Sequence, residues 1–134
     1  MKKIENILKK LNDKAKKNGD VPVSSLIVYN DKIISKSYNM REYKNNPLYH
    51  AEILAIIKAS KKLNSWNLSE CTIYSTMKPC SMCLEVIKMA KIKNINYFVD
   101  NNKMINYNIK MNKINSDQKD YFIKELKDFF ANKR

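Results

Sequence analysis

The strongest constraint on the fold is an alternation of strands and helices over residues 32–99. Short segments rich in β-branched and aromatic residues alternate with longer apolar segments at helical spacing. The predicted order is a strand at 32–38, a helix at 49–63, a strand at 71–76, a helix at 80–91 and a strand at 95–99. This order predicts parallel strands, because each crossover helix returns the chain to the same end of the sheet. The first helix is apolar around much of its circumference, so we expect it to be mostly buried.

Further elements are predicted on both sides of this alternation. They are an amphipathic helix at 2–18, a strand at 26–29 that pairs with 32–38 through an Asn30-Asp31 turn, and a helix at 117–131. Gly19 stops the first helix, whose basic face also fits a membrane surface, although docking on the sheet is the commoner arrangement. Residues 39–49 predict a loop, while residues 100–115 fit strand, loop or irregular helix. The fold class is thus α/β, with an antiparallel hairpin followed by parallel strands and crossover helices.

Length and composition favour one domain in the cytoplasm. The 134 residues can bury a core without disulfides, so a single domain over 1–134 is expected. The longest purely apolar run, 53–57, is far shorter than the roughly 20 residues of a membrane span. The N-terminal segment lacks the apolar core of a signal peptide, and the odd number of cysteines, 3, argues against a disulfide framework.

The net charge is strongly positive. Its formal value of +13, from 26 basic and 13 acidic residues, suits a polyanionic partner such as RNA. Nearly all of the basic residues are lysine, and Asn and Ile are also abundant. Because these residues have A/T-rich codons, an A/T-rich genome would produce the same bias without selection for binding. Charge alone therefore favours a nucleic-acid partner only weakly.

The chemistry of the chain is concentrated in two short motifs, one at the start of each predicted crossover helix. Cys80 and Cys83 lie three residues apart, so their thiols share one helix face. The only histidine, His50, stands two residues before Glu52. Successive helix starts in such a fold meet at one edge of the sheet, so the two motifs are expected to lie close together. Cys71 lies in an apolar strand segment and is expected to be buried.

His50, Cys80 and Cys83 have the donor types of a zinc site with an open fourth position, which is typical of catalytic zinc. Zinc lowers the pKa of a bound water, and Glu52 is the nearby carboxylate that would take the proton. His50 and Glu52 would not share a face of a regular helix, so both must lean toward the site in the first turn. The alternative is a histidine used in packing and a chance Cys-x-x-Cys spacing.

The motifs His50-Ala51-Glu52 and Pro79-Cys80-Ser81-Met82-Cys83 resemble those of the cytidine deaminase-like zinc deaminases, for which a histidine, glutamate and paired-cysteine signature is established. Within this superfamily the chain resembles the bacterial-type tRNA adenosine deaminases, which convert the wobble adenosine of the anticodon to inosine. The resemblance also includes Val21-Pro22-Val23, Asn39, Pro47 and Met82. It implies a three-layer α/β/α sandwich around a mixed sheet of about five strands.

The resemblance implies roles for individual residues. His50, Cys80 and Cys83 would bind one Zn²⁺ per subunit, and Glu52 would carry protons from the water to the purine and to the departing amine. Asn39 would hydrogen-bond the flipped base, unless it is an ordinary turn residue at the end of a strand. The other expected substrate contacts are Val23, Pro47, Ala51, Asn101 and Phe129.

The resemblance also implies a homodimer that binds the anticodon stem-loop of a tRNA, with no membrane and no DNA partner expected. Aromatic side chains near the C-terminus would stack on splayed anticodon bases, although core packing is the simpler use of residues at helical spacing. They are Tyr121, Phe122, Phe129 and Phe130.

The chain departs from the family pattern at three places. Lys78 stands where the family usually has glutamate, and Ser24-Ser25 stands where it usually has Gly-Ala. Residues 100–103 lack the usual glycine-rich continuation. These departures concern the substrate more than the reaction, because the expected zinc ligands are unchanged.

Two other functions stay open. A deaminase of free nucleobases or nucleotides, such as guanine, cytosine or dCMP, would use the same zinc chemistry. The Val21-Pro22-Val23 motif and the basic charge argue against it. A catalytically silent, zinc-stabilised RNA-binding subunit would have Lys78 as the mark of lost activity, but the intact Glu52 argues against it.

Overall fold

Among the described residues, 1–101 and 109–132, the computed structural model contains four helices and five strands. The helices are α1 (Lys2–Lys17), α2 (Ala51–Leu63), α3 (Ser81–Met89) and α4 (Lys119–Asn132). The strands are β1 (Ser24–Tyr29), β2 (Lys32–Tyr38), β3 (Thr72–Met77), β4 (Asn94–Val99) and β5 (Asn112–Lys113). Every predicted helix and strand is present, with ends that differ by one or two residues, as is usual for helix and strand boundaries.

The strands form one mixed sheet in the order β2-β1-β3-β4-β5. β1 is antiparallel to both of its neighbours, and β3, β4 and β5 are parallel. β2 and β3 therefore run in the same direction with β1 between them. The hairpin turns at Asn30 and Asp31, whose φ angles of 50° and 62° match the twist of two-residue hairpins. The predicted hairpin and the two parallel crossovers, through α2 and α3, are confirmed.

Helices cover both faces of the sheet. One core cluster contains residues of α2 and α3 together with Ile27 and Ile95. The other contains residues of α1 and α4 together with Leu26 and Phe98. Since successive strand side chains point to opposite faces, each of the strands β1 to β4 contributes to both cores. This is the predicted three-layer α/β/α sandwich, and Cys71 is buried in the first core as expected.

The basic N-terminal helix docks on the sheet. Leu8 and Leu11 of α1 are buried in the second core cluster, which confirms the docking prediction. Gly19 lies two residues beyond the helix with φ +81°, a backbone conformation that favours glycine. Within the described part of the chain, no helix has the length and apolar character needed to cross a membrane.

Helix α2 is less buried than the sequence predicts. Ile53 and Ile56 pack in the interior, but Ile57 is 42% exposed. A helix in an outer layer of a sandwich has one face on the sheet and the other in solvent, so an apolar residue on the outer side stays exposed. The prediction that α2 is mostly buried is therefore wrong at Ile57.

Ser24 and Ser25 begin β1 in the interior. The hydroxyl of Ser24 donates to the Leu8 carbonyl at 3.0 Å, and that of Ser25 donates to the Tyr74 carbonyl at 2.8 Å. Buried hydroxyls are tolerated when they are hydrogen-bonded in this way. The fold therefore accommodates Ser24 and Ser25 at the place where the family usually has Gly-Ala, because both hydroxyls are hydrogen-bonded.

Part of the segment 100–115, whose structure the sequence left open, is strand. β5 pairs in parallel with β4 through Asn112 and Lys113. Residues 102–108, which include two positions of the predicted departure at 100–103, lie outside the described residues.

Candidate metal centre and substrate cavity

His50 and Cys80 are the residues immediately before α2 and α3. Both have extended backbone angles, with φ −76° and ψ 152° at His50 and φ −72° and ψ 173° at Cys80. They therefore occupy the cap position, from which a side chain can point across the start of its helix. Because β2 and β3 run in the same direction, the segments after them reach the same edge of the sheet, where the two caps meet.

The donor atoms of the two motifs lie at the distances that zinc requires. The Nδ1 atom of His50 is 3.7 Å from the Sγ of Cys80 and 3.5 Å from the Sγ of Cys83. Ordinary Zn–N and Zn–S bonds in a tetrahedron give an N–S separation of about 3.6 Å. All three donor atoms lie within 4.8 Å of one another, and no second group of this kind occurs within residues 1–101 and 109–132. The donor chemistry and the spacing both fit zinc.

The pKa values of the two thiols are shifted in opposite directions. A hydrogen bond from Cys83, and then one from His50, lowers the pKa of Cys80 to about 4. The same hydrogen bond, together with burial, raises the pKa of Cys83, because its proton is held between the two sulfurs. The hydrogen bond to Cys80 also raises the pKa of His50. Cys80 is therefore a thiolate, the form in which cysteine binds metals.

Glu52 lies in the first turn of α2, beside the donor group. Its side chain is buried, with only 4% of the residue exposed, and burial raises its pKa to about 7. Groups with a pKa in this range exchange protons readily near neutral pH. The structure thus places a buried proton acceptor on the wall of the cavity that His50 and Cys80 line.

That cavity has a volume of about 740 Å³. It is large enough for a nucleoside, since small-molecule sites typically span about 300–1,000 Å³. Four of the six expected substrate contacts line it, namely Val23, Asn39, Asn101 and Phe129. The other lining residues are Gly19, Asp20, Val21, Arg41, Glu42, His50, Glu52, Met77, Lys78, Cys80, Asp100 and Phe130.

Asn39 is held in place by hydrogen bonds to two segments. Its Oδ1 accepts the backbone N–H of Ala51 at 2.8 Å, which satisfies an amide at the start of α2. Its Nδ2 donates to the Val21 carbonyl at 3.3 Å. An amide nitrogen carries two hydrogens, so one donor of Asn39 is left for a ligand in the cavity. Asn39 therefore links the segment before β1 to the start of α2, and its contact with a base stays a prediction.

Pro47 and Ala51 do not line the cavity. Pro47 is exposed on the loop before His50. Ala51 is fully buried under the start of α2, and its N–H binds Asn39. The family resemblance implied contact of both residues with a substrate, but in this part of the chain only His50 and Glu52 line the cavity.

Three of the four aromatic residues of α4 divide between core and cavity, and the fourth, Tyr121, is 41% exposed and belongs to neither. Phe122 is buried against Phe98, with ring centroids 5.3 Å apart. Phe129 and Phe130 lie two turns further along and line the cavity. Core packing thus accounts for Phe122, while the end of the helix forms part of the cavity wall.

Sequence reasoning missed Asp20, a buried acid on the cavity wall. Its two carboxylate oxygens accept the backbone N–H groups of Glu42, at 2.7 Å, and Tyr43, at 3.1 Å. These bonds attach the loop after β2 to the turn after α1. The only signal in the sequence is an acidic residue directly after Gly19, a pattern too common to predict this role.

We predict that Asp20→Asn destabilises the protein, because an amide oxygen can replace only one of the two carboxylate acceptors. The expected loss in the free energy of unfolding is about 1–3 kcal/mol, measured by urea titration. The matched control is Asp31→Asn at the exposed hairpin turn, where asparagine suits the positive φ and stability should stay within about 0.5 kcal/mol. An equal effect of the two substitutions would contradict the role given to Asp20.

Lys78 lies between β3 and the cysteine motif. Its backbone N–H donates to the Val99 carbonyl at 2.8 Å, and its ammonium lies 5.6 Å from the centre of the Tyr97 ring. Lys78 thus lines the cavity with its ammonium over Tyr97, and the His50, Cys80 and Cys83 donor group is intact.

The sandwich, together with one histidine and two cysteines at the starts of adjacent crossover helices, defines the class of cytidine deaminase-like proteins. The profile of the MafB19-like deaminases matches residues 2–134, so the chain belongs to the MafB19-like deaminase family.

Individual relatives agree with this assignment. The chain is 49% identical over 86 residues to a tRNA-specific adenosine deaminase of Rickettsia bellii, an alignment that covers 63% of this chain and 59% of the relative. A solved structure from studies of A-to-I editing by tRNA:A34 deaminases at the wobble position of transfer RNA has a TM-score of 0.72 and 26% identity. It matches 78% of this chain and 81% of that one. A guanine deaminase from Bacillus subtilis shares the fold, with a TM-score of 0.68, 22% identity and coverage of 98% and 92%.

Proposed function

We propose that this chain is a zinc-dependent hydrolytic deaminase that converts adenosine to inosine at the wobble position of a tRNA anticodon. The observation that carries the proposal is one cavity that brings the His50 and Cys80 donors beside the buried Glu52. The similarity to the tRNA-specific adenosine deaminase of Rickettsia bellii supports adenosine in tRNA as the substrate. The chain spans 59% of the length of that relative.

His50, Cys80 and Cys83 would hold the zinc, and three protein donors are the number typical of catalytic zinc. When bound, zinc supplies a water molecule whose pKa is lowered, so that hydroxide forms near neutral pH. One ion per subunit is expected, because the donor set lies within 4.8 Å and is the one such group among the described residues.

Glu52 would move the protons of the reaction. Its carboxylate takes one proton from the attacking water and delivers it to N1 of the purine. A second proton passes through the same carboxyl to the amino group, which leaves C6 as ammonia. Water and adenosine thus give inosine and ammonia, with Glu52 returned to its starting form.

Asn39 would orient the base. The Nδ2 hydrogen that does not bind Val21 is available to an acceptor on the purine, and the bond from Ala51 to Oδ1 fixes the amide plane. Val23 and Phe129 would supply apolar walls, because both line the same cavity. Asn101 lies at the same wall and remains a proposed contact.

The test is an inosine assay on zinc-loaded protein. An anticodon stem-loop with adenosine at the wobble position is incubated with the protein and sequenced, and inosine is expected at that position alone. Ammonia release from guanine, cytosine, adenosine and dCMP is measured in parallel. Turnover of these small substrates without inosine in the RNA would replace the proposal with a free-base or nucleotide deaminase.

We also propose that the protein acts as a homodimer in the cytoplasm. The family resemblance implies the dimer, and α2 exposes the apolar side chain of Ile57, which is 42% exposed. A second copy of the chain that packs on α2 would cover it. Light scattering at micromolar concentration distinguishes a dimer from a monomer.

A further inference from the structure

Lys78 occupies a fixed position at the mouth of the cavity. The bond from its backbone N–H to Val99 continues the pairing of β3 with β4, so the sheet sets where the side chain begins. The residue is half-buried and lines the cavity two residues before Cys80. Its ammonium is held over the face of Tyr97, a favourable place for a cation.

The other charged groups around the cavity already have partners. Arg41 pairs with Glu42 at 3.7 Å, and the Asp20 carboxylate accepts two backbone amides. Asp100 forms an ion pair with Lys113, which holds the pKa of the Asp100 carboxyl below its usual value. Among the described residues no carboxylate lies within ion-pair distance of the Lys78 ammonium. Its charge also helps to lower the pKa of Asp100, but Asp100 already forms its ion pair with Lys113, so the Lys78 ammonium can still form an ion pair with a ligand.

We propose that Lys78 binds a backbone phosphate next to the nucleotide whose base enters the cavity. The inference rests on the proposed function and assigns one residue of the cavity to the phosphate backbone of that substrate. A base that reaches Glu52 leaves its flanking phosphates at the cavity mouth, where Lys78 lies. An ammonium is a compact cation with three donors, well suited to phosphate oxygens, whereas a free base has no negative charge to place there.

The experiment compares Lys78→Gln with Lys88→Gln. Lys88 is exposed on α3 and does not line the cavity, so its removal controls for the loss of one positive charge.

Binding of a fluorescent anticodon stem-loop is measured over a range of salt concentrations. Each phosphate contact contributes about 0.7 to the slope of log affinity against log salt for single-stranded nucleic acid. We expect Lys78→Gln to weaken binding roughly fivefold and to reduce the slope by about 0.7. Lys88→Gln should leave the affinity and the salt slope close to those of the wild type. Lys78→Arg should restore the affinity and the salt slope.

Turnover separates this inference from the proposed function. With Lys78→Gln, the loss should fall on KM and leave kcat nearly unchanged, since the phosphate contact is made equally in the ground and transition states. If the wild type forms inosine but Lys78→Gln and Lys88→Gln have equal salt slopes, the phosphate contact is overturned and the proposed function is not. A wild type that binds RNA through Lys78 but forms no inosine would overturn the proposed function alone. Absence of RNA binding by the wild type would overturn both.

Discussion

Replacement of Glu52 with glutamine is expected to reduce adenosine turnover by roughly 10²–10⁴-fold, the usual contribution of a general acid–base group. The amide keeps the shape of the side chain, but it cannot accept a proton from water or return one to the purine. Zinc binding should be retained, because Glu52 is not one of the three donors that lie within 4.8 Å of one another. RNA binding should be retained as well, since the side chain is buried at the inner end of the site.

The matched control is Glu85→Gln on the exposed face of α3. Zinc content, stem-loop affinity and the rate of inosine formation are measured for both variants and for the wild type. Glu85→Gln should behave as the wild type in all three measurements. A Glu52→Gln protein that retains most of its turnover would exclude Glu52 as the proton carrier.

The same comparison tests the silent-subunit hypothesis. If the wild type forms no product from RNA or from small substrates, Glu52→Gln has no turnover to reduce. The zinc-stabilised RNA-binding subunit then becomes the better description of the protein. Lys78 was the residue that raised this possibility. The structure gives Lys78 a place over Tyr97 at the cavity mouth and no contact that disrupts the donor group.

The metal-ligand cluster could be predicted from the sequence because short-range rules determine it. The start of an apolar helix is recognisable in the sequence, and parallel crossovers bring successive helix starts to one sheet edge. These rules placed His50 beside Cys80 and Cys83 without any knowledge of side-chain positions. They also predicted the common direction of β2, β3 and β4, because each crossover there is formed by one helix, but not that β1 lies between β2 and β3.

The rest of the cavity could not be predicted, because it depends on contacts between distant segments. Asp20 follows α1, and its role arises only when the loop after β2 folds against it. Helical spacing placed Phe122 and Phe129 on the same side of α4. It does not show which of them packs on the sheet and which extends past the edge of the sheet. Phe122 lies over Phe98 in the core, whereas Phe129 lies on the cavity wall.

Replacement of Cys83 with alanine is expected to abolish zinc binding and the stability that zinc provides. A ligand at 100 times its Kd stabilises the folded state by about 2.7 kcal/mol, so removal of zinc from the wild type should lower its Tm by roughly 5–10 °C. The Cys83→Ala protein should contain no zinc and should melt at the same temperature with and without a chelator. Metal analysis and calorimetry measure the two quantities.

Cys71→Ala provides the control for lost packing. Cys71 and Cys83 are 1% and 0% exposed, so both substitutions remove a buried thiol of the same size. Burial raises the pKa of Cys71, so its thiol stays protonated and packs as a neutral core side chain. Cys71→Ala should lose some stability to the cavity it leaves, yet it should keep one zinc and the full response to chelator. Retention of one zinc by Cys83→Ala, or a wild type whose Tm ignores the chelator, would show that the donor cluster is a packing feature and not a metal centre.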